Sequence, residues 1–182
     1  MSNMRENAIR RARAFWAARP VFVDTETTGL NQRAEIVEIS IVDYDGSLLY
    51  DSLVQPRSLI PADVIRLHGI DNDMVKDAPG WEKVWEQVES LLQGRYTGVY
   101  NLEFDVRMMK QSHLKHGLMW RTPDIRFFDI MKLYADFYGA YRWQRLEDAG
   151  RQCKIPLLNT HRAKDDALLT RAVLEHMANA QA

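Results

Sequence analysis

Apolar positions recur along this chain with two different periods, and the switches between them mark out its elements. Val21-Phe22-Val23 is a short apolar run of the kind that forms a buried strand. Residues 36–44, rich in Ile and Val, predict a second strand. Asp45-Gly46 is a hairpin-turn dipeptide, and residues 47–55 alternate as a third strand behind it. Pro56 and Pro61 bracket a loop, and residues 63–69 predict a short helical segment closed by Gly69. Helical spacing then takes over, with Trp81, Trp85, Val88 and Leu92 on one face of an amphipathic helix. Residues 98–100 predict a strand that feeds Asn101, followed by a helix over 104–114. Residues 126–129 read as a brief strand ahead of 130–138, and helices are predicted over 144–153 and 163–177. At the start of the chain, residues 2–19 predict a helix rich in Ala and Arg. Its apolar stripe is Ile9, Ala12, Phe15 and Trp16, and Pro20 stops it.

Three strands joined by short turns, then strand–helix alternation, is the order of an α/β fold: a mixed five-stranded sheet with helices on both faces. Such sheets place their sites at the carboxyl ends of strands. No internal repeat, low-complexity tract or domain boundary interrupts the pattern, and 182 residues suit a single domain. An apolar content of 46% with 27% charged residues excludes a disordered chain. The one cysteine, Cys153, excludes an intramolecular disulfide and a Cys-rich zinc module, and reads as a small buried apolar residue. A net charge of −1 excludes a generally basic nucleic-acid coat protein, while leaving room for an enzyme that meets nucleic acid at one site. No apolar run approaches the ~18–20 residues of a membrane helix. Arg5, Arg10, Arg11, Arg13 and Arg19 precede no apolar signal segment, so the expectation is a cytoplasmic protein with no membrane partner. The basic face of the first helix has two readings, a solvated helix at the domain edge or an arm that faces nucleic acid.

Three motifs carry candidate chemistry. Asp24-Thr25-Glu26-Thr27-Thr28-Gly29 follows the first strand. Residues two apart on a strand share a face, so Asp24 and Glu26 project together, and two like charges side by side need a cation or a shared proton. In Asn101-Leu102-Glu103-Phe104-Asp105, Asn101 is a helix N-cap candidate and Asp105 lies in the first turn, where the macrodipole favours a negative charge. In His161-Arg162-Ala163-Lys164-Asp165-Asp166-Ala167, His161 precedes a helix from which Asp166 faces inward, and the flanking alanines allow close backbone approach. Taken singly, an acidic turn, a capped helix and an acidic first turn explain each motif without chemistry.

In combination and in this order, D-x-E-T-x-G, N-x-x-F-D and H-x-A-x-x-D-A resemble the DEDDh 3′–5′ exonucleases, the DnaQ-like group, over nearly the whole chain. That resemblance implies a ribonuclease H-like fold, with an exonuclease domain over 20–182 behind the basic helix at 1–19. It implies Asp24, Glu26, Asp105 and Asp166 as four metal-site acids and His161 as general base. A histidine at that position, rather than a tyrosine, separates this branch from the DEDDy branch. Leu67-His68-Gly69-Ile70 and Asp24-Thr25-Glu26-Thr27-Thr28-Gly29 are similar to segments of the polymerase proofreading branch, DNA polymerase III epsilon-like, and favour DNA. Tyr100, where proofreading subunits often carry His, is a departure from that subfamily. The implied reaction is hydrolysis from the 3′ end of single-stranded DNA, or of RNA, releasing nucleoside 5′-monophosphates. A cluster of carboxylates and no Cys–His set favours two divalent cations, Mg²⁺ or Mn²⁺. Thr27, Thr28, Gly29 and Leu30 are placed to meet the terminal sugar and base, with His68 and Asn101 as further substrate contacts. The alternatives are an RNA 3′-end-processing exoribonuclease and a non-catalytic nucleic-acid-binding module. Ala182 comes soon after the last motif, so a free-standing enzyme, or one recruited by a polymerase or repair partner through another surface, is expected.

His113 and His116 have a spacing that a second metal could use but lack convincing partners. Tyr138, Tyr141 and Trp143 flank Gly139-Ala140 and read either as core or as platforms for stacked bases.

Overall fold

The first strand reaches well past its apolar run. In the computed structural model, which describes residues 2–121, 124–139, 142–157 and 160–181, the helix α1 (Ser2–Ala17) leads into β1 (Val21–Thr27). Asp24 and Glu26 therefore lie inside the strand rather than beyond it. The polar half stays extended because it has a partner. Asp24, Thr25 and Glu26 pair antiparallel with Ser40, Ile39 and Glu38 of β2 (Ile36–Val42), and the register shifts between Glu26 and Thr27. A turn with Gly46 at φ 90° leads into β3 (Leu48–Leu53), antiparallel to β2. After α2 (Ala62–His68), α3 (Asn72–Val75) and α4 (Trp81–Leu92), β4 (Tyr96–Val99) joins the other side of β1 in parallel. α5 (Leu102–Lys115) then crosses to β5 (Arg126–Asp129), parallel to β4, so the sheet order is β3-β2-β1-β4-β5. This is the mixed five-stranded, ribonuclease H-like sheet of the expected α/β class, with β1 at its centre. The four-residue α3 had no sequence signal because it is too short to display a period.

The alternation of β1 divides the core in two. Phe22 faces α1, α6 (Ile130–Tyr138), α7 (Leu146–Gln152) and α8 (Ala163–Asn179), which close over it with Ile9, Tyr134, Leu169 and Met177. Val21 and Val23 face α4 and α5, which bury Trp81, Val88 and Met108. Burying a large apolar side chain contributes roughly 1.5–3 kcal/mol, so these two layers hold the sheet that carries the site. At Gly98 a Cβ would stand 2.8 Å from the side chain of Ile130 and 2.9 Å from that of Phe128, so any side chain there would have to displace both.

The basic helix α1 is tied to the body of the protein. Arg13 donates to the carbonyls of Ala178 and Ala180 at 3.0 and 2.9 Å, and Arg11 pairs with Asp136. The C-terminal carbonyls of α8 are where cations are favoured. No described helix is long and apolar enough to cross a membrane.

Candidate active site

Because β1 is central, side chains at its carboxyl end can be met from both faces of the sheet. Asp24 and Glu26 project on the α8 side. α8 crosses β1 and β2 and brings Asp166 down from its first turn. Oxygens of Asp24, Glu26 and Asp166 lie within 4.8 Å of one another, the one such acidic cluster found among the described residues. Asp105 arrives from the opposite direction, in the first turn of α5, and is 4% exposed. Its Oδ1 accepts a 2.7 Å hydrogen bond from the hydroxyl of Thr25. The strand period explains the division of labour: Asp24 and Glu26 point to one side, and Thr25, between them, points to the other and orients Asp105. Asp105 stands outside the 4.8 Å group, yet its charge acts on Asp24.

The electrostatics of this cluster are unfavourable without a counter-charge. Burial holds the Asp24 carboxyl well above the ordinary range, and Asp105, Asp166, Glu26 and Glu38 push it further. Burial, with Asp166, Glu38 and Asp105, pushes Glu26 up to about 8. Asp105 is pushed up to about 7 by burial, against the opposing hydrogen bond from Thr25. At such separations an ionised pair repels by about 3 kcal/mol in an effective dielectric of roughly 20. The cluster therefore holds either protons or a cation. Its donors are all hard oxygens, and the only thiol, Cys153, is buried in the core away from them, which fits a divalent ion of the Mg²⁺ class.

A pH dependence follows with a definite sign. Glu26 and Asp105 bind protons more tightly folded than unfolded, so their stabilising contribution is complete below the unfolded values near ~4.5 and is lost as pH rises through about 7 to 8. Mn²⁺ competes with those protons and removes the repulsion. The rise in melting temperature on adding Mn²⁺ is expected to be small at about pH 5.5 and several-fold larger at about pH 8.5. Thermal melts in EDTA and in Mn²⁺ check this; a shift independent of pH would contradict it.

His161 lies just before α8, with its backbone at φ 53°. It is exposed and lines a cavity of about 550 Å³ together with Leu30, Asn101 and Trp143. Thr160 folds back on the helix start: its N–H donates to Asp166 at 3.3 Å and its hydroxyl to Asp165 at 2.7 Å. A second cavity of about 400 Å³ adjoins the first and is lined by Thr27, Thr28, Gly29, Leu30 and His68. Leu30, 75% exposed, and Leu67 line both, so they form the ridge between them.

The proposed substrate contacts differ in what they have left to offer. The Thr27 hydroxyl donates to the Gly29 carbonyl at 2.8 Å, and that of Thr28 accepts from the Glu35 N–H at 3.0 Å. Both hydroxyls shape the turn that presents Gly29, at φ 147°, and Leu30. His68 is buried. Its Nδ1 accepts from the Ile70 N–H at 3.0 Å, which leaves Nε2 to donate to the Thr27 carbonyl at 3.2 Å. Burial lowers its pKa, in keeping with a neutral ring that staples α2 to the end of β1 and forms cavity wall. Asn101 occupies the N-cap of α5 without a side-chain capping bond and faces the larger cavity.

His113 is enclosed by Trp81, Trp85 and Trp120, and His116 pairs with Glu82 at 2.6 Å, so they do not converge on one metal. Tyr138 stacks on Tyr134, Trp143 stands 62% exposed at the larger cavity, and Tyr141 lies outside the described residues. Motif reading passed over Glu38. The available signal was a lone glutamate in a run otherwise of Ile, Val and Ser; the structure buries it directly opposite Glu26.

Residues 21–174 match the family model of the RNase_T exonucleases. Over 169 residues the chain is 34% identical to the uncharacterized exonuclease CP81 of Escherichia phage 186, covering 87% of each. It is 31% identical over 135 residues to DNA polymerase III subunit epsilon of Pasteurella multocida, a match that takes in 68% of this chain and 53% of that one. Among solved structures it is similar to exonuclease X in complex with 5′ overhanging duplex DNA, with a TM-score of 0.67, 27% identity, and 87% and 90% of the two chains covered.

Proposed function

The chain belongs to the exonuclease family, in its DEDDh branch, and from that premise we propose that it removes nucleotides from the 3′ end of single-stranded DNA as nucleoside 5′-monophosphates. Dependence on a divalent metal comes with this family and its acidic cluster. In the proposal, Asp24, Glu26, Asp105 and Asp166 hold two cations, Mg²⁺ or Mn²⁺. The observation that carries it is the convergence of Asp24, Glu26 and Asp166 within 4.8 Å at the carboxyl end of the central strand.

When bound, such cations stabilise the charge on the phosphate and on the leaving oxygen. The protein's own groups do the rest. His161, as a neutral imidazole at the cavity rim, accepts the proton of the attacking water. The turn at Thr27 to Leu30 meets the terminal sugar and base in the smaller cavity, and Gly29 lets the backbone come close. Leu30 and Leu67 separate that base from the preceding one, and Asn101 and Trp143 meet the strand in the larger cavity. A terminal nucleotide must be unpaired to pass this ridge, which is why a single strand is the proposed form. Expulsion of the 3′ oxygen of the preceding nucleotide leaves the phosphate on the departing one.

The reading is tested with 5′-labelled single-stranded DNA, recessed duplex DNA and RNA in Mg²⁺ or Mn²⁺. The expected result is a ladder shortening from the 3′ end, fastest on single-stranded DNA, with 5′-monophosphates as products. Internal cuts or early release of the label would sink it, and faster degradation of RNA would move the substrate to the exoribonuclease class.

A further inference from the structure

Glu38 lies on β2 beside the acidic cluster, 2% exposed, and its carboxylate is directed at the segment that carries His161. Arg162 Nε donates to its two oxygens at 3.0 and 3.1 Å, and Arg162 Nη2 donates to Oε1 as well. Its Oε2 also accepts from the Ala163 N–H at 2.9 Å. Ala163 opens α8, and the residue in the N-cap position, Arg162, makes no side-chain cap of its own. An arginine has no acceptor to offer the orphan N–H groups of a helix start. The cap is supplied from outside, by a strand 125 residues earlier in the chain.

His161 is thus held on both sides. Thr160 is tied to Asp165 and Asp166, and Arg162 with Ala163 is tied to Glu38. Between these anchors the His161 backbone sits at φ 53°, a region that a non-glycine residue keeps only where its surroundings over-determine it. We infer that Glu38 is a positioning residue: through Arg162 and Ala163 it sets the entry to α8, keeping His161 at the rim of the cavity and Asp166 over Asp24 and Glu26. The consequence for catalysis rests on the proposed role of His161 as base; the clamp itself does not. Both Glu38 oxygens already accept hydrogen bonds, Oε1 from Arg162 and Oε2 from Arg162 and Ala163, and Glu38 is absent from the group whose oxygens approach within 4.8 Å, so its role is distinct from that of a ligand.

Geometry and charge make opposite forecasts. Glu38→Gln removes a negative charge near the cluster, and Arg162→Gln removes a positive one. If only the local potential matters, the two substitutions act in opposite directions on turnover. If the clamp matters, both lower kcat on a 5′-labelled single strand in saturating Mn²⁺, by about 10- to 100-fold, with KM changed less than about threefold. The double variant is then no worse than the poorer single, and neither substitution adds to the loss in His161→Ala. Arg162→Gln strands the buried Glu38 carboxylate, so Arg162→Lys, which keeps the charge but not the fork, is read beside it and is expected to lower kcat as well. Opposite signs, or a lower melting temperature with unchanged kcat, would overturn the inference. The NMR signals of the His161 imidazole are read in the same variants and need no turnover. They are expected to move together in both, and unchanged signals would overturn the clamp. Should the wild type degrade no nucleic acid, the proposed function fails, while the imidazole signals still decide the clamp.

Discussion

Asp24→Ala is expected to lower the rate of hydrolysis by at least ~10³-fold, roughly 4 kcal/mol of lost transition-state stabilisation, while leaving the protein folded. Asp24 is the acid on which the cluster centres. Burial raises its carboxyl first, and four other acids then act on it. A residue placed there for stability would be matched by cations or donors; this one is surrounded by charges of its own sign. In EDTA at about pH 8, where more of these carboxyls are ionised, its removal relieves repulsion. Each 1 kcal/mol of relief raises the melting temperature of a chain this size by ~2–4 °C. Calorimetry of wild type and variant measures it. A melting temperature that falls by several degrees in the metal-free variant would make Asp24 a structural residue.

The second large effect separates the proposed base from the acids proposed to hold metal. His161→Ala is expected to lower kcat by ~10²–10⁴-fold while leaving Mn²⁺ and substrate binding nearly intact. Asp166→Ala is expected to weaken Mn²⁺ binding as well, because its carboxylate is one of the three that converge within 4.8 Å. His161 stands outside that group, exposed at the rim of the adjoining cavity. Calorimetric titration of Mn²⁺ into each variant with a single-stranded oligonucleotide present distinguishes them. Equal losses of metal affinity would make His161 a ligand.

The shared face of Asp24 and Glu26 was legible in the sequence because it obeys a short-range rule, whereas the grouping of the four proposed metal acids came from the resemblance of the three motifs taken together. Two acids two apart on a strand share a face, and an acid in a first helical turn faces back along the axis. The succession of strands and helices along the chain was legible from the change of apolar period, whereas their order within the sheet was not. What could not be read depends on contacts between distant segments. β1 continues through Asp24 to Thr27 because β2 pairs with it, and a polar run gives no local sign of that pairing. Asn101 sits where a cap is expected yet makes no capping bond, whereas the start of α8 is capped by Glu38 from another strand. His68 had the appearance of a substrate contact. Both its ring nitrogens meet backbone groups, one of them 41 residues away, and no local pattern encodes such a staple.

The central claim is that Asp24, Glu26, Asp105 and Asp166 together hold the cations at which a 3′ end is cut. It is tested most directly by crystals of the inactive His161→Ala variant grown with Mn²⁺ and a short single-stranded oligonucleotide, with data collected for the anomalous signal of manganese. Two anomalous peaks among these four carboxylates, with the 3′-terminal phosphodiester beside them and the last base in the cavity bounded by Leu30 and His68, is the predicted result. Manganese bound away from this cluster, or the 5′ end of the strand seated at it, would contradict the account.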